Sequence, residues 1–394
     1  MMLDDIDKLR NYTVSSVVEG YDAFLLRSLI ASSKRDLLYI VSDGMALEQA
    51  ANILGTIAPH TKVLKFPAWD TVPYDRVSPN ANIVAERVNT LAELAANPQT
   101  KQPRIIIASI GAAIQKLPPK KIFLNSVREI KVGGNLNFNE FIHYATVNGY
   151  NRVEQVMEPG EYAVRGDILD IFPVGTPEPL RIDLFDDEVE KIRTFDALSQ
   201  RTTGNLEKYT FQVMGEVSLD NNTVKNFRTG YRETFGAVSQ SDEIYEAVSE
   251  GRKYMGMENW LPFFYEEPLL SIFDYLPMAQ IIIGKNVADA LKSKEDSIAD
   301  YYQARLEALN IKSANEVDTY RPVKPELMFF NEAAFNKIIK EKSPLCFTSM
   351  STPDGEGVIN AGVIPGRDFS NAKNVGASQV YAELKDYLNE NKKL

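Results

Sequence analysis

Three side chains of the kinds that proteins use for binding occupy alternate positions of one short segment, LRIDLF (180–185). Successive side chains of a β-strand point to opposite sides of the sheet. The three aliphatic residues would therefore face a core, while Arg181, Asp183 and Phe185 would share the other face. Such a row suits a surface that meets a partner better than one that meets only water. Two alternatives stay open, in which Phe185 packs under another domain or against Val189 across the following turn.

Other chemistry has little support. A phosphate-binding loop needs the pattern GxxxxGK[ST], which occurs nowhere in the chain. The only histidines, His60 and His143, are far apart, and Cys346 is the only cysteine, so a zinc site is not expected. The acidic segment FDDEVE (185–190) could hold a divalent cation, but Asp-Asp suits a turn, and the sequence favours a hairpin tip.

Bulk composition narrows the class of protein. The chain has 394 residues, a net charge of −11 and a pI of about 5.0, and this length predicts about two to four domains. The acidic balance argues against a broad nucleic-acid surface, which requires basic patches. One cysteine fits a reducing compartment, and no apolar run is long enough for a membrane span. We therefore expect a cytoplasmic protein without a membrane segment.

Strand-like and helix-like segments alternate in the first part of the chain. The segment 36–43 is typical of a buried strand, 104–119 of a strand followed by a short helix, and 45–57 and 78–97 show helical spacing. Ser78 is expected to cap the helix over 78–97 and Gly55 to end the helix over 45–57. Alternation of this kind predicts a parallel α/β sheet. From about residue 126 short strands and tight turns predict a β-rich unit inserted in the α/β domain.

Four long segments resemble one family. FPAWDTVPYDRVSPNANIVAERVNTLAEL, VEQVMEPGEYAVRGDILDIFPVG, RIDLFDDEVEKIRTFDALSQRT and GMENWLPFFYEEPLLSIFDYLP are similar in order and spacing to the N-terminal part of bacterial transcription-repair coupling factors (Mfd). The resemblance extends over residues 10–390, and EYAVRGDILDIFP with its hairpin is also similar to the excision-repair helicase UvrB. Four long segments in order are far more specific than any single short motif.

The resemblance implies a fold and a domain order. The expected fold is a RecA-like, UvrB-like α/β parallel-sheet domain that lacks a phosphate loop and carries an inserted β-rich α+β domain 2. Residues 1–125 would form domain 1A and residues 126–212 the inserted domain 2. Residues 213–350 would form domain 1B, and residues 351–394 a loop and terminal helix leading toward the family's third domain.

The resemblance also implies a partner. In the family, domain 2 binds UvrA, the damage-recognition ATPase of nucleotide excision repair. Arg165, Arg181 and Phe185 match the family's UvrA-contacting positions, with Arg165 expected on the strand next to that of Phe185. Asp183 lies between Arg181 and Phe185, where it could orient an arginine or meet a cation of the partner. These four residues form the predicted UvrA-binding site, and no catalytic, cofactor or metal residues are expected.

Longer family members carry more than this module. They continue into a domain that binds RNA polymerase and into an ATP- and Mg²⁺-dependent motor that translocates on double-stranded DNA, and nothing in this chain resembles either. The chain is therefore expected to be a fragment or a naturally short form. In the longer proteins a distal domain covers the UvrA-binding face, which this chain should expose.

Two other functions remain as alternatives. An ATP-dependent DNA-unwinding subunit like UvrB would turn over ATP, which the missing phosphate loop argues against. A direct DNA-binding module would show a salt-sensitive affinity for duplex DNA, which the net charge argues against. Neither activity is expected of the non-catalytic module that would recruit UvrA and link stalled transcription to repair.

Overall fold

The computed structural model describes residues 10–99, 101–125, 127–173, 175–238, 242–312, 320–353, 355–364, 366–367, 369, 372 and 376–390. The described strands are β1 (Thr13–Ser15), β2 (Leu37–Val41), β3 (Val63–Phe66), β4 (Ile105–Ser109), β5 (Arg128–Lys131), β6 (Asn151–Arg152), β7 (Glu161–Arg165), β8 (Ile168–Ile171), β9 (Leu180–Phe185), β10 (Glu188–Phe195), β11 (Thr202–Leu206), β12 (Lys208–Phe211), β13 (Gln280–Ile283), β14 (Leu345–Phe347) and β15 (Val358–Asn360).

The described α-helices are α1 (Tyr21–Ser32), α2 (Gly44–Ile57), α3 (Ala81–Ala96), α4 (Ile110–Ala113), α5 (Lys121–Asn125), α6 (Phe138–Val147), α7 (Asn221–Phe235), α8 (Glu243–Ser249), α9 (Ile272–Tyr275), α10 (Val287–Lys312), α11 (Pro325–Met328), α12 (Glu332–Glu341) and α13 (Ala377–Glu390). A 3₁₀-helix spans Met257–Phe263. The expected terminal helix thus corresponds to α13, and residues 391–394 lie outside the described residues.

A seven-stranded parallel sheet forms the α/β part. Its strand order is β15-β1-β14-β13-β2-β4-β3, and all of its strand pairs are parallel. Strands β2 and β4 are buried along their whole length, because helices cover both faces of a parallel sheet and leave no solvated side. This confirms the α/β class that the alternating segments predict.

Two local expectations about helix ends are wrong. Helix α3 begins at Ala81, and the side chain of Asn80 accepts a hydrogen bond from the Asn82 amide at its start. Ser78 instead donates to Glu258 and accepts from the Gly256 amide, so its hydroxyl is already engaged. Gly55 lies inside α2, which continues to Ile57.

The β-rich unit follows β4 and α5 in the chain and precedes β13. A six-stranded mixed sheet has the order β11-β10-β9-β8-β7-β6, and β5 pairs with β12 in a separate two-stranded sheet. Helix α6 supplies Phe141, Tyr144 and Ala145 to the core that this unit forms with its strands. A β-rich unit inserted in the α/β part is therefore confirmed, and the four numbered domain ranges stay predictions.

A buried ion pair joins the inserted unit to the α/β part. Glu216 comes five residues after β12, and its carboxylate accepts from Nε and Nη2 of Arg87 on α3. Both side chains are almost fully buried. The Arg87 guanidinium also donates to the carbonyl of Pro67 and lies 4.5 Å from the ring centre of Phe66. The chain leaving the inserted unit is thus fixed to the α/β core by a satisfied pair of buried charges.

Candidate partner-binding surface

Two tight hairpins build the surface on which the predicted site residues lie. Gly166 and Asp167 connect β7 to β8, and Asp186 and Asp187 connect β9 to β10. Gly166 and Asp186 have φ angles of 60° and 51°, as two-residue hairpin loops require, and aspartate tolerates this conformation better than most residues. The acidic segment 185–190 is therefore a hairpin tip, as the sequence favours.

Strand β9 separates its side chains as the sequence predicts. Leu180, Ile182 and Leu184 are buried in the core of the inserted unit. The other three residues of the strand lie on what we call the outer face, which consists of the side of the six-stranded sheet that carries Arg181, Asp183 and Phe185. Arg181 and Asp183 are half-buried, whereas Phe185 is exposed.

Phe185 packs against neither of the alternative sites that the sequence left open. Its side chain is 68% exposed, so no other domain covers it. Val189 is 1% exposed and pairs with Leu184 on the core side of the sheet. A large aromatic ring therefore stands in solvent on a tight hairpin, next to the tip.

Arg181 is held by its own domain. Its Nε and Nη2 donate to Asp170 on β8 over 2.6 and 2.8 Å, and the Asp170 side chain is buried. The guanidinium lies 4.5 Å from the ring centre of Phe195, and Nη2 also donates to Gln200. The hydrogen bonds to Asp170 raise the pKa of Arg181 above its usual value. Arg181 thus presents an edge to solvent while its charge is paired internally.

Asp183 is also paired within the outer face. Nη2 of Arg193 on β10 donates to the Asp183 carboxylate over 2.6 Å. Of the two roles left open for Asp183, the structure shows contact with an arginine, and that arginine is Arg193 and not Arg181.

Arg165 joins the outer face from farther away than expected. It is the last residue of β7, which pairs with β8, and β8 in turn pairs with β9. The expectation of a neighbouring strand is wrong, because residues 161–171 form a hairpin of two strands and place β8 in between. Arg165 is exposed, and its Nη2 donates to the carbonyl of Glu154.

Sequence reasoning missed the partners of these residues. Asp170, Arg193 and Phe195 hold Arg181 and Asp183 in place, and none was singled out. In the segment ILDI (168–171), Leu169 and Ile171 are buried on the core side, so the alternation of the strand puts Asp170 on the outer face. Its pairing with Arg181 requires the β8–β9 register, which that short pattern does not contain.

A concave region lies at the carboxyl edge of the parallel sheet, where related α/β proteins bind ligands. A cleft of about 330 Å³ is lined there by Glu19, Asp22, Tyr39 and Lys285 among others. The Tyr39 hydroxyl donates to Asp22 over 2.6 Å, and Nζ of Lys285 donates to the carbonyl of Val18. The carboxylates of Glu19 and Asp22 lie near the start of α1. A phosphate group bound there would need amide and lysine donors instead, so these carboxylates disfavour a phosphate site.

Other candidate sites have little support from the geometry. His60 and His143 are both exposed. Within the described ranges, no three His, Cys, Asp or Glu side chains come together as metal ligands would. None of the helices in those ranges has the length and apolar character that a membrane crossing requires.

Comparison with known proteins identifies the inserted unit. A family described as "UvrB interaction domain" matches residues 129–214, which include the two hairpins and the outer face. The chain is 31% identical over 336 residues to the transcription-repair-coupling factor of Haemophilus influenzae, covering 85% of this chain and 28% of that protein. It is 35% identical over 263 residues to the Escherichia coli protein of the same name, covering 67% and 22%.

The fold and the inserted unit together define a UvrB-homology module, which is an α/β sheet that carries a UvrB interaction domain. Similarity to the coupling factors covers most of the chain, including 30% identity over 86% of it to the Rickettsia bellii protein. The chain belongs to the family of transcription-repair-coupling factors. It spans less than a third of the length of these relatives.

Proposed function

We propose that this chain is a non-catalytic adaptor module that recruits UvrA through the outer face of its inserted domain. Within a longer protein of the family, this recruitment would link stalled RNA polymerase to nucleotide excision repair. The match of residues 129–214 to a UvrB interaction domain supports the proposal, because that segment contains all four predicted site residues.

The observation that carries the proposal is the position of Phe185. Phe185 is 68% exposed, so a partner that covers it would remove apolar surface from water, which favours association. The two-residue hairpin fixes the backbone that carries the ring, so the position of Phe185 on the outer face is set before a partner binds. Aromatic anchors of this kind, set among arginines, are frequent binding hot spots.

The four site residues divide into two roles in this proposal. Phe185 and Arg165 are exposed and can contact UvrA directly. Arg181 and Asp183 are paired with Asp170 and Arg193, so they shape the surface and offer only their remaining edges. A partner that packs on this face meets a surface that is already ordered.

A binding titration against purified UvrA tests the proposal. Phe185→Ala should weaken the affinity by about thirty-fold, which corresponds to a hot spot of about 2 kcal/mol. Leu198→Ala is the matched control, because Leu198 is 82% exposed in the same domain but lies beyond the opposite end of β10. The control should bind as the parent does.

Two outcomes would count against this function. If the parent chain does not bind UvrA, the adaptor role is wrong for this chain. If Phe185→Ala and Leu198→Ala lose affinity equally, or neither loses any, UvrA does not dock on the outer face. Circular dichroism of each variant shows whether a loss reflects binding or unfolding.

The remaining expectations belong to the same proposal. We propose that the module acts in the cytoplasm. We also propose that it needs no cofactor, which is supported by the missing GxxxxGK[ST] pattern and by the carboxylates in the cleft beside α1. ATP, Mg²⁺, RNA polymerase and double-stranded DNA would be ligands of other parts of a longer family member. Absence of ATP turnover by the purified chain is the corresponding measurement.

A further inference from the structure

Strand register aligns four side chains in a row across the outer face. Arg165 of β7 is opposite Ile168 of β8, Ile168 is opposite Asp183 of β9, and Asp183 is opposite Lys191 of β10. Neighbouring strands are about 4.8 Å apart, so the row is about 14 Å long. Phe185 follows two residues after Asp183 on the same face, toward the hairpin tip.

A β-bulge brings Lys191 to this face. Val189 pairs with Leu184 and Ile192 with Ile182, and both β10 residues are buried on the core side. Strict alternation from Val189 would put Lys191 on the core side as well. The register shift between Val189 and Lys191 inserts one residue and reverses the phase. Bulges that redirect a side chain in this way are frequent next to functional sites.

The central charges of the row are neutralised within the domain. Asp183 is paired with Arg193, and Arg181 beside it is paired with Asp170. Lys191 is directly opposite Asp183 but makes no ion pair among the residues that the structure describes, and its side chain is exposed. Arg165 at the other end of the row donates only to a backbone carbonyl there. The two ends of the row are therefore cationic.

The hairpin tip has the opposite charge. Asp186 and Asp187 form the turn, and Glu188 is paired with Phe185 across the hairpin. Phe185 thus stands between a cationic row on one side and an acidic tip on the other. A complementary partner would place an apolar pocket over Phe185 and carboxylates over the row.

We propose that Lys191 is a further docking residue of this module, which meets an acidic group on UvrA, with Ile168, two strands away in the same row, adding apolar contact to the interface. This proposal rests on the proposed function, because it extends the same surface from Phe185 across the row to β10. A docking role for Lys191 would account for a bulge that turns this lysine away from the core side and onto a face where Arg181, Asp183 and Arg193 are already paired.

Charge reversal of Lys191 tests the proposal. Lys191→Glu should weaken UvrA binding by about tenfold or more at low salt, because it places a carboxylate against an acidic group. The loss of affinity should be smaller at about 0.5 M salt, because the Debye length is then only a few ångströms. Most of the loss at low salt should come from a slower association rate. Lys191→Arg should keep the parent affinity.

Lys208→Glu is the matched control. Lys208 is an exposed lysine of the same domain, but it lies on the two-stranded sheet with β5 and is paired with Glu129. It should leave UvrA binding unchanged, which separates a local contact from a general effect of net charge.

The results distinguish this proposal from the function on which it rests. If Phe185→Ala weakens binding but Lys191→Glu changes it less than about twofold, the docking face does not include Lys191 and the inference is wrong. If Lys191→Glu and Lys208→Glu weaken binding equally, the effect is non-specific and the inference is also wrong. If Phe185→Ala has no effect, the proposed function itself fails.

Discussion

Replacement of Arg181 should lower the stability of the inserted domain, whether or not a partner contacts Arg181. Arg181→Met removes both hydrogen bonds to Asp170 and leaves a carboxylate that is 2% exposed without a counter-charge. Breaking a buried ion pair by removing one partner costs about 3 to 5 kcal/mol. Two charge-assisted hydrogen bonds of about 1.5 to 3 kcal/mol each lead to a similar figure.

The free-energy cost of breaking the Arg181–Asp170 pair is best measured in the two strands that carry it. Hydrogen exchange of the β8 and β9 amides in the full chain reports the local opening free energy, since both strands carry one partner of the pair. It should fall by about 3 to 5 kcal/mol in Arg181→Met. Lys208→Met, which breaks a pair between two exposed side chains, should cost no more than about 1 kcal/mol.

A double variant separates the charge effect from lost packing. Asp170→Leu combined with Arg181→Met removes both charges, and such replacements are often close to neutral. It should therefore recover most of the stability that Arg181→Met loses. A loss below about 1 kcal/mol for Arg181→Met, or no recovery in the double variant, would refute the reasoning that Asp170 depends on Arg181. Binding data on Arg181 variants should accordingly be read only with their stability in hand.

Three further predictions concern the rest of the fold. Arg87→Met should cost about 3 to 5 kcal/mol in urea unfolding, because it strands the buried Glu216 carboxylate at the junction, and Glu216→Leu in the same chain should restore most of it. Asp43→Ala should cost about 1 kcal/mol, because Asp43 accepts from the Ala46 amide at the start of α2, and Asp43→Asn should lose less. The same hydrogen bond lowers the pKa of Asp43, so its contribution to thermal stability should be present at neutral pH and disappear as the pH falls below about 4. Burial raises the pKa of Tyr209 to about 12, above its unfolded value of about 10. The contribution of Tyr209 to stability should therefore be intact below about pH 10 and decrease toward pH 12. Melting temperatures should fall less steeply over this range in Tyr209→Phe than in the parent.

Periodicity alone predicted several elements correctly. Residues 180–185 alternate because β9 has one buried and one outer face, and the structure places all six side chains accordingly. The segments 36–43 and 104–119 contain β2 and β4, which are buried on both sides, and β4 continues into the short helix α4. Helix ends were predicted less accurately. Several polar residues near Ser78 could serve as the N-cap, and Asn80 is the one that does.

The site was predicted in part. The outer face does carry Arg181, Asp183 and Phe185, and Arg165 joins it. That Phe185 stays exposed while Arg181 and Asp183 are paired could not be read from β9 itself, because the partners come from β8 and β10. The role of each residue in binding UvrA stays a prediction.

The sequence by itself determined the properties that depend on neighbours along the chain. Strand alternation, the two hairpin turns and the missing phosphate loop are local, since backbone geometry and turn chemistry act over a few residues. The tertiary structure decided which strands lie side by side, which charges meet, and which side of the sheet Lys191 faces after the bulge. Those outcomes depend on register, and register is set by how the hydrophobic faces and turns of separate segments fit together.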